Sequence, residues 1–256
     1  MPTWDAAQYL KFERERTQPA VDLAQRIGLQ APARLLDVGC GPGNSTAVLR
    51  RLYPDAELLG IDSSPKMIAA ARRAHPDLRF QLCDVREEIP LPGPAFDVVF
   101  SNACLQWVPG HRALLSRLMA LLRKGGVLAV QMPVNYDEPI HRILRGLAAA
   151  SPWKEKLGAP RGMFVLGEED YFDLLSEIAA DFALWRTTYF HRIASHAELM
   201  DWYRGSGLRP YLQALSPRDG AAFEKEVLAH LKKAYPRQKN GEIILRFPRL
   251  FFTAAR

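Results

Sequence analysis

Short apolar runs alternate with amphipathic stretches through the first half of the chain. Arg34-Leu35-Leu36-Asp37-Val38, Glu57-Leu58-Leu59-Gly60-Ile61, Arg79-Phe80-Gln81-Leu82, Asp97-Val98-Val99-Phe100 and Val127-Leu128-Ala129-Val130-Gln131 read as strands. Between them, Ser45–Tyr53, Pro65–Ala74 and Arg112–Arg123 carry apolar residues at helical spacing. Ser63-Ser64-Pro65 is a helix start, with a Ser cap and Pro at the first helical position. After Met132 the alternation breaks down. Asp137–Ala150 predicts a helix, and Ser151–Gly167, rich in Gly and Pro, an exposed loop. Phe182–Phe190 and Ile243–Ala254 are strand-like, rich in β-branched and aromatic residues. Residues 191–242 are largely helical, most clearly at Ser195–Gly205 and Pro217–Tyr235.

Strands that alternate with helices imply a parallel sheet covered on both faces. The seven strand-like segments therefore predict an α/β fold: a Rossmann-like, mostly parallel seven-stranded sheet with helices on both faces. A single domain over residues 1–256 is expected, with an N-terminal helical segment at 1–30, a ligand-binding core at 31–135 and a helical lid at 191–242. Ligands in such folds bind beyond the carboxyl ends of the strands.

Composition narrows the class. With 48% hydrophobic and 24% charged residues over 256 positions, the chain is neither disordered nor fibrous. No run approaches the ~18 apolar residues of a membrane span, and Met1-Pro2-Thr3-Trp4-Asp5 starts no export signal. A soluble, cytoplasmic monomer is expected. Cys40, Cys83 and Cys104 are odd in number and widely spaced, which fits free thiols in a reducing compartment. No metal site is expected, since no Cys or His pair has zinc spacing. The net charge of +6 is uneven. Residues 1–139 carry 16 Lys and Arg against 15 Asp and Glu, whereas residues 140–256 carry 18 against 13. The basic excess of the second half suits an anionic partner but is too dilute to demand nucleic acid.

The sharpest local signal is Leu36-Asp37-Val38-Gly39-Cys40-Gly41-Pro42-Gly43-Asn44, which follows a strand and opens a helix. The glycines let the backbone turn tightly and approach a ligand. A loop built for the pyrophosphate of a dinucleotide would place a third Gly where Asn44 stands. Asp37 would repel that pyrophosphate and attract a cationic amino group instead. Asp62 closes the second strand, 21 residues after Gly41, where an acid can accept from both ribose hydroxyls. Asp84 closes the third and is placed to accept from an adenine amino group, with Met67 and Val85 sandwiching the purine. Each Asp taken alone could be a turn cap. Three at successive strand ends, next to the glycine loop, favour ligand binding.

This constellation resembles the class I S-adenosylmethionine-dependent methyltransferases. In that family the DxGxGxG loop and the acidic ends of strands two and three hold the cofactor. The resemblance assigns Asp37, Gly39, Cys40, Gly41, Gly43, Asn44, Asp62, Ser63, Met67, Asp84 and Val85 to S-adenosylmethionine, leaving S-adenosylhomocysteine as product. Ser101-Asn102-Ala103-Cys104-Leu105-Gln106-Trp107 fits the fourth strand end, adding Asn102, Ala103 and Trp107, the last an adenine-flanking aromatic. A narrower resemblance runs along the whole chain, to the branch that methylates a carboxylate of trans-aconitate. It rests on YLKF at 9–12, CGPGNST at 40–46, GIDSSPKMIAAAR at 60–72, SNACLQWVPGH at 101–111, VLAVQMP at 127–133, WRTTYFH at 185–191, GLRPYL at 207–212 and FPRLF at 247–251.

A carboxylate acceptor is already ionised at neutral pH, so no general base is expected and no catalytic residue is assigned. Rate would come from aligning acceptor and methyl, where proximity can supply roughly 7–11 kcal/mol. A small anionic polycarboxylate needs cations on the carboxylates that do not react, and the rigid fork of arginine suits them. The candidates are Arg16, Arg186, Arg209 and Arg249, with Tyr9 and Tyr189 as hydroxyl donors. Arg186 and Arg249 lie inside apolar strand-like runs, where an unpaired charge is expensive. His111 reads as a solvated loop histidine. Three alternatives stay open: another small organic acid as acceptor, a nucleic-acid methyltransferase, and a cofactor-binding regulator without activity. Against nucleic acid, the fourth strand ends in SNAC rather than N/D-P-P-Y/F, and no basic stripe interleaves with aromatics.

Overall fold

The five aliphatic runs of the first half form strands β1 (Arg34–Val38), β2 (Glu57–Asp62), β3 (Arg79–Leu82), β4 (Phe96–Asn102) and β5 (Leu122–Pro133) of the computed structural model, which describes residues 13–87, 89, 95–157 and 163–256. β1 pairs in parallel with β2 and β4, β2 with β3, and β4 with β5. Leu35, Leu36, Val98, Val99, Leu128 and Ala129 are wholly buried, as central strands covered on both faces must be. Helices α1 (Glu13–Ala24), α2 (Asn44–Leu52), α3 (Pro65–Ala74) and α4 (His111–Ala120) flank these strands in the chain. α3 begins as its sequence predicts, with Pro65 in the first turn and the Ser64 hydroxyl accepting from the Met67 amide at 3.4 Å.

β6 (Asp181–Ile193) and β7 (Ile243–Ala255) complete a seven-stranded sheet of order β3-β2-β1-β4-β5-β7-β6. The Arg256 amide donates to the Gly126 carbonyl and the Val134 amide to the Pro248 carbonyl, so β7 runs antiparallel to β5. β6 is the edge strand. Arg186, Thr188, Phe190 and Arg192 are exposed along it, alternating with Thr187, Tyr189, His191 and Ile193.

The chain divides into two compact units. The larger comprises Glu13–Pro133, Met163–Thr187 and Leu250–Arg256. The described part of the other is 134–157 and 188–249. The smaller unit holds α5 (Pro139–Ala149), α6 (Trp153–Leu157), α8 (His196–Arg204), α9 (Arg209–Ala214) and α10 (Pro217–Ala234), while α7 (Glu168–Ile178) belongs to the larger. Leu144, Trp202, Phe223, Leu231 and Leu245 are core residues of the smaller unit. The expected loop at Ser151–Gly167 needs correcting over its first part. Trp153 is buried, packs edge-on against Phe223 at 5.1 Å and donates its indole N–H to Glu226 at 2.9 Å. One buried anchor holds a helix too short to show a period.

Candidate functional site

At the end of β1 the chain takes three positive-φ turns, at Gly39 (73°), Gly41 (56°) and Gly43 (97°). The loop is pinned to β2: the Gly39 and Cys40 amides both donate to the Ile61 carbonyl, at 2.8 and 3.0 Å. Asp62 supports it from the strand end, accepting from Gly41 N–H at 3.0 Å and from Ser64 N–H at 2.8 Å. A Cβ at Gly39 would overlap the Cys104 side chain, whereas one at Gly41 would meet nothing within 4 Å. The loop is closed against protein at its first glycine and open at its second.

Asp37 is wholly buried, one carboxylate oxygen accepting from the Ser45 and Thr46 hydroxyls at 2.6 Å each. These bonds tie β1 to the first turn of α2. Its other oxygen, Oδ1, is buried without a hydrogen-bond partner among the described residues. Burial pushes the Asp37 carboxyl up to about 6, against the two hydroxyls, and the charge of Asp62 adds to the rise. Burial also raises Asp62.

Asp84 follows β3, where the Arg86 guanidinium bonds it at 3.0 Å and holds its carboxyl below the usual range. Met67 and Val85 are buried. Ser63 is exposed, and Asn44 and Trp107 are half-buried. At the end of β4, Asn102 Oδ1 is a second buried acceptor without a partner among the described residues. Ala103 stands at φ 54°, a conformation costly for a residue with a Cβ. Its amide donates to the Gln131 carbonyl and its own carbonyl accepts from the Gln106 side chain, both bonds holding the turn. Nothing in the residue types announces that strain. The three cysteines are free thiols, Cys40 and Cys83 buried and Cys104 half-buried.

The reading of His111 as a solvated histidine is corrected. It is buried, with Nε2 donating to the Leu105 carbonyl at 2.9 Å and Nδ1 facing the Tyr171 hydroxyl. Burial holds it below the ordinary histidine range, so it is neutral. Its partner Tyr171 lies on α7, an element the apolar pattern did not reveal.

The expected acceptor residues fall in different surroundings. Tyr9 lies outside the described residues. Arg16 is buried on α1, and Arg209 is half-buried at the start of α9. Arg186 projects from the exposed side of β6 and pairs with Glu168 at 3.2 Å. An edge strand puts alternate residues in water, so the burial argument does not reach it. Arg249 is different: only 3% exposed, its guanidinium lies 4.5 Å from the Phe247 ring centre and 5.8 Å from that of Tyr189. Beside it in the same unit is His191, parallel to Tyr189 at 6.1 Å and 4.9 Å from Trp202. Burial, helped by the charge of Arg249, pushes His191 down to about 4. His191 follows Tyr189 by two residues on one face of β6, the signal that would have brought it into the candidate set.

A family model described as a methyltransferase domain matches residues 35–126. Trans-aconitate 2-methyltransferase of Methylobacterium nodulans is 47% identical over 258 residues, covering 100% of this chain and 99% of that protein. Its counterpart in Methylobacterium radiotolerans is 45% identical, covering 99% and 98%. Among solved structures, the YcgJ protein of Bacillus subtilis superposes with a TM-score of 0.63 at 16% identity, covering 93% of this chain and 98% of that one. A Haemonchus contortus phosphoethanolamine N-methyltransferase solved with S-adenosylhomocysteine gives 0.57 at 18% identity, covering 93% and 52%. At such identities the likeness is one of fold.

Proposed function

The chain belongs to the trans-aconitate 2-methyltransferase family, and from that premise we propose that it transfers a methyl group from S-adenosylmethionine to a carboxylate of trans-aconitate. The products are the monomethyl ester and S-adenosylhomocysteine. One observation carries this reading: the identity extends over the whole chain, including the second half, where the basic excess lies.

Bound S-adenosylmethionine supplies an electrophilic methyl on a sulfonium and carries a cationic amino group. The residues at the strand ends fit such a group. Asp37 Oδ1 and Asn102 Oδ1 are buried acceptors that lack partners among the described residues, in a region where burial pushes the carboxyls up. Asp37 and Asn102 would hold the amino group, and the open side of Gly41 would admit it without a Cβ in the way. Asp62, whose oxygens keep lone pairs beyond their two backbone bonds, would take the ribose hydroxyls. Met67, Val85 and Trp107 would enclose the adenine, with Asp84 accepting at its edge. Gly39, Cys40, Gly43, Asn44, Ser63 and Ala103 shape the loops that carry these contacts.

For the acceptor, Arg249 is the strongest candidate. A buried guanidinium set against aromatic rings can take a non-reacting carboxylate in a dry site, where the bond is strong. Tyr189 is a hydroxyl donor beside it, and Arg16 and Arg209 are further candidates. An ionised carboxylate brings its own nucleophilic oxygen, so these residues need only orient it and exclude water.

Labelled methyl transfer from S-adenosylmethionine to trans-aconitate, run beside cis-aconitate, citrate and isocitrate, tests the proposal. Turnover that prefers the trans isomer is expected. Cofactor binding with no turnover on any of the four acids would sink the substrate assignment.

A further inference from the structure

The smaller unit hides polar atoms that its own fold does not use. Tyr203 Oη, His191 Nε2, Asn135 Oδ1 and His141 Nε2 are all buried there without a hydrogen-bond partner among the described residues. Folded proteins leave few such atoms, because a buried polar group without a partner forfeits the bonds it made to water. These four are not scattered. His141 packs edge-on against Tyr203 at 5.5 Å, the Tyr203 hydroxyl faces Asn135, and the charge of Arg249 reaches both Tyr203 and His191. His191 is clamped between Tyr189 and Trp202, so its ring cannot swing out to water without breaking both contacts.

The chemistry of the group is specific. It combines one fixed cation with one phenol, and with one imidazole kept neutral at pH 7, able to offer a single N–H. A phenol and a neutral imidazole donate to an anion without adding charge. They can therefore grip a carboxylate that Arg249 neutralises. A phosphate, with its larger charge, would call for more than one fixed cation. We infer that Tyr203 and His191 are specificity-determining residues which, together with Arg249, read one of the two carboxylates of the acceptor that do not react. The inference rests on the acceptor assignment made above and adds to it which side chains distinguish a tricarboxylate from a dicarboxylate.

Removing a donor from a bond to a charged group weakens binding by roughly 10-fold or more. Tyr203→Phe, which keeps the ring, is expected to raise the KM for trans-aconitate by that factor. The KM for S-adenosylmethionine and the Tm should stay put, because the hydroxyl proton has no acceptor among the described residues. His191→Phe, which keeps the stacking on Tyr189 and Trp202, should do the same. His191→Gln, which restores an N–H near Nε2, should recover part of the loss. Three dicarboxylates (mesaconate, itaconate and cis-glutaconate) each lack one carboxylate of trans-aconitate. Measured as inhibition of methyl transfer to trans-aconitate, the cost of Tyr203→Phe should vanish against one of the three and persist against the others.

An unchanged KM for trans-aconitate in both Phe variants, with the wild type active, overturns this inference alone and leaves the activity standing. An equal cost against all three dicarboxylates also overturns it, since the pair would then read no particular group. A wild type that neither binds nor methylates trans-aconitate removes the acceptor assignment, and this inference falls with it.

Discussion

The strand-end site of the larger unit and the surroundings of Arg249 in the smaller hold ionisable groups of opposite character, although the larger unit also buries Arg16 and His111. In the larger unit the buried groups at the strand ends are acids, Asp37 and Asp62, both pushed up by desolvation. In the smaller unit they are a cation and two neutral bases: Arg249, with His141 and His191 pushed down to about 4. At the strand ends of the larger unit a cationic ligand would offset the desolvation of the two acids, and in the smaller unit an anionic one would suit the fixed charge of Arg249. The comparison predicts that neutralising Asp37 weakens a cationic ligand and neutralising Arg249 an anionic one.

The largest effect is expected where the backbone itself makes the site. Gly39→Ala would place a methyl on the Cys104 side chain at a φ of 73°, so the loop must move. A loss of cofactor affinity of about 100-fold or more is expected by calorimetric titration, combining a steric clash with a strained φ. Gly39→Ala combined with Cys104→Gly, which takes away both the Sγ and the Cβ that the new methyl would meet, should recover part of it by removing the clash but not the strain. Recovery to wild-type affinity would mean that the backbone conformation at Gly39 is immaterial.

Arg249→Met comes next and separates the two costs. Removing the guanidinium should raise the KM for trans-aconitate by roughly 10- to 100-fold while cofactor affinity holds, as for a lost charged hydrogen bond. The Tm, read beside the KM, reports what the guanidinium contributes to the fold. The His191 pKa, read by NMR, should climb back from about 4 once the neighbouring charge is gone. A large fall in Tm would show that Arg249 is there to hold the fold.

Much of the larger unit is legible from sequence, for a physical reason. Parallel strands buried on both faces must be aliphatic throughout, and they alternate with helices of clear period. That is why β1 and β3 and the helix at Pro65–Ala74 appear with the predicted bounds. The smaller unit is a set of short helices around aromatic anchors such as Trp153 and Trp202, and no period survives over the five residues of α6. The site divides the same way. The glycine loop and the acids at the strand ends declare themselves because their residue types are demanded by backbone geometry and charge. His191 and Tyr203 look like ordinary core residues until burial shows their polar atoms unused.

Asp37→Asn tests the larger unit with a pH-dependent signature. The folded carboxyl titrates near 6 against an ordinary 3.8, so the folded state holds its proton more tightly than the unfolded chain. Its contribution to stability is present below pH 3.8 and is lost as pH rises through 6. A bound cation pulls the carboxyl back down, so binding releases a proton. Cofactor affinity should therefore rise with pH up to about 6 and then level. In Asp37→Asn it should be about 10-fold weaker at pH 7 and flat across that window, with the free protein no less stable. His141 and His191 act in the other direction: both are below their ordinary 6.5, so the stability they allow is present above that pH and lost as pH falls from 6.5 toward 4. Thermal unfolding followed across pH 4 to 7 should show the loss at the acid end reduced in His191→Phe.

The smallest effect is expected at Arg186, which shares its residue type with Arg249 but not its surroundings. Its side chain is 52% exposed and its partner Glu168 51%, so the pair is screened by water and worth about 0–1 kcal/mol. Arg186→Ala should move the Tm by no more than a degree or two and the KM for trans-aconitate by less than about twofold, within what an exposed pair can contribute. Raising the salt concentration should erase the difference, because screening acts on exposed charges first. An Arg186→Ala variant that loses acceptor affinity as steeply as Arg249→Met would show that an exposed guanidinium can leave its ion pair to grip substrate. Burial would then no longer be the property that separates the arginines that bind from those that do not.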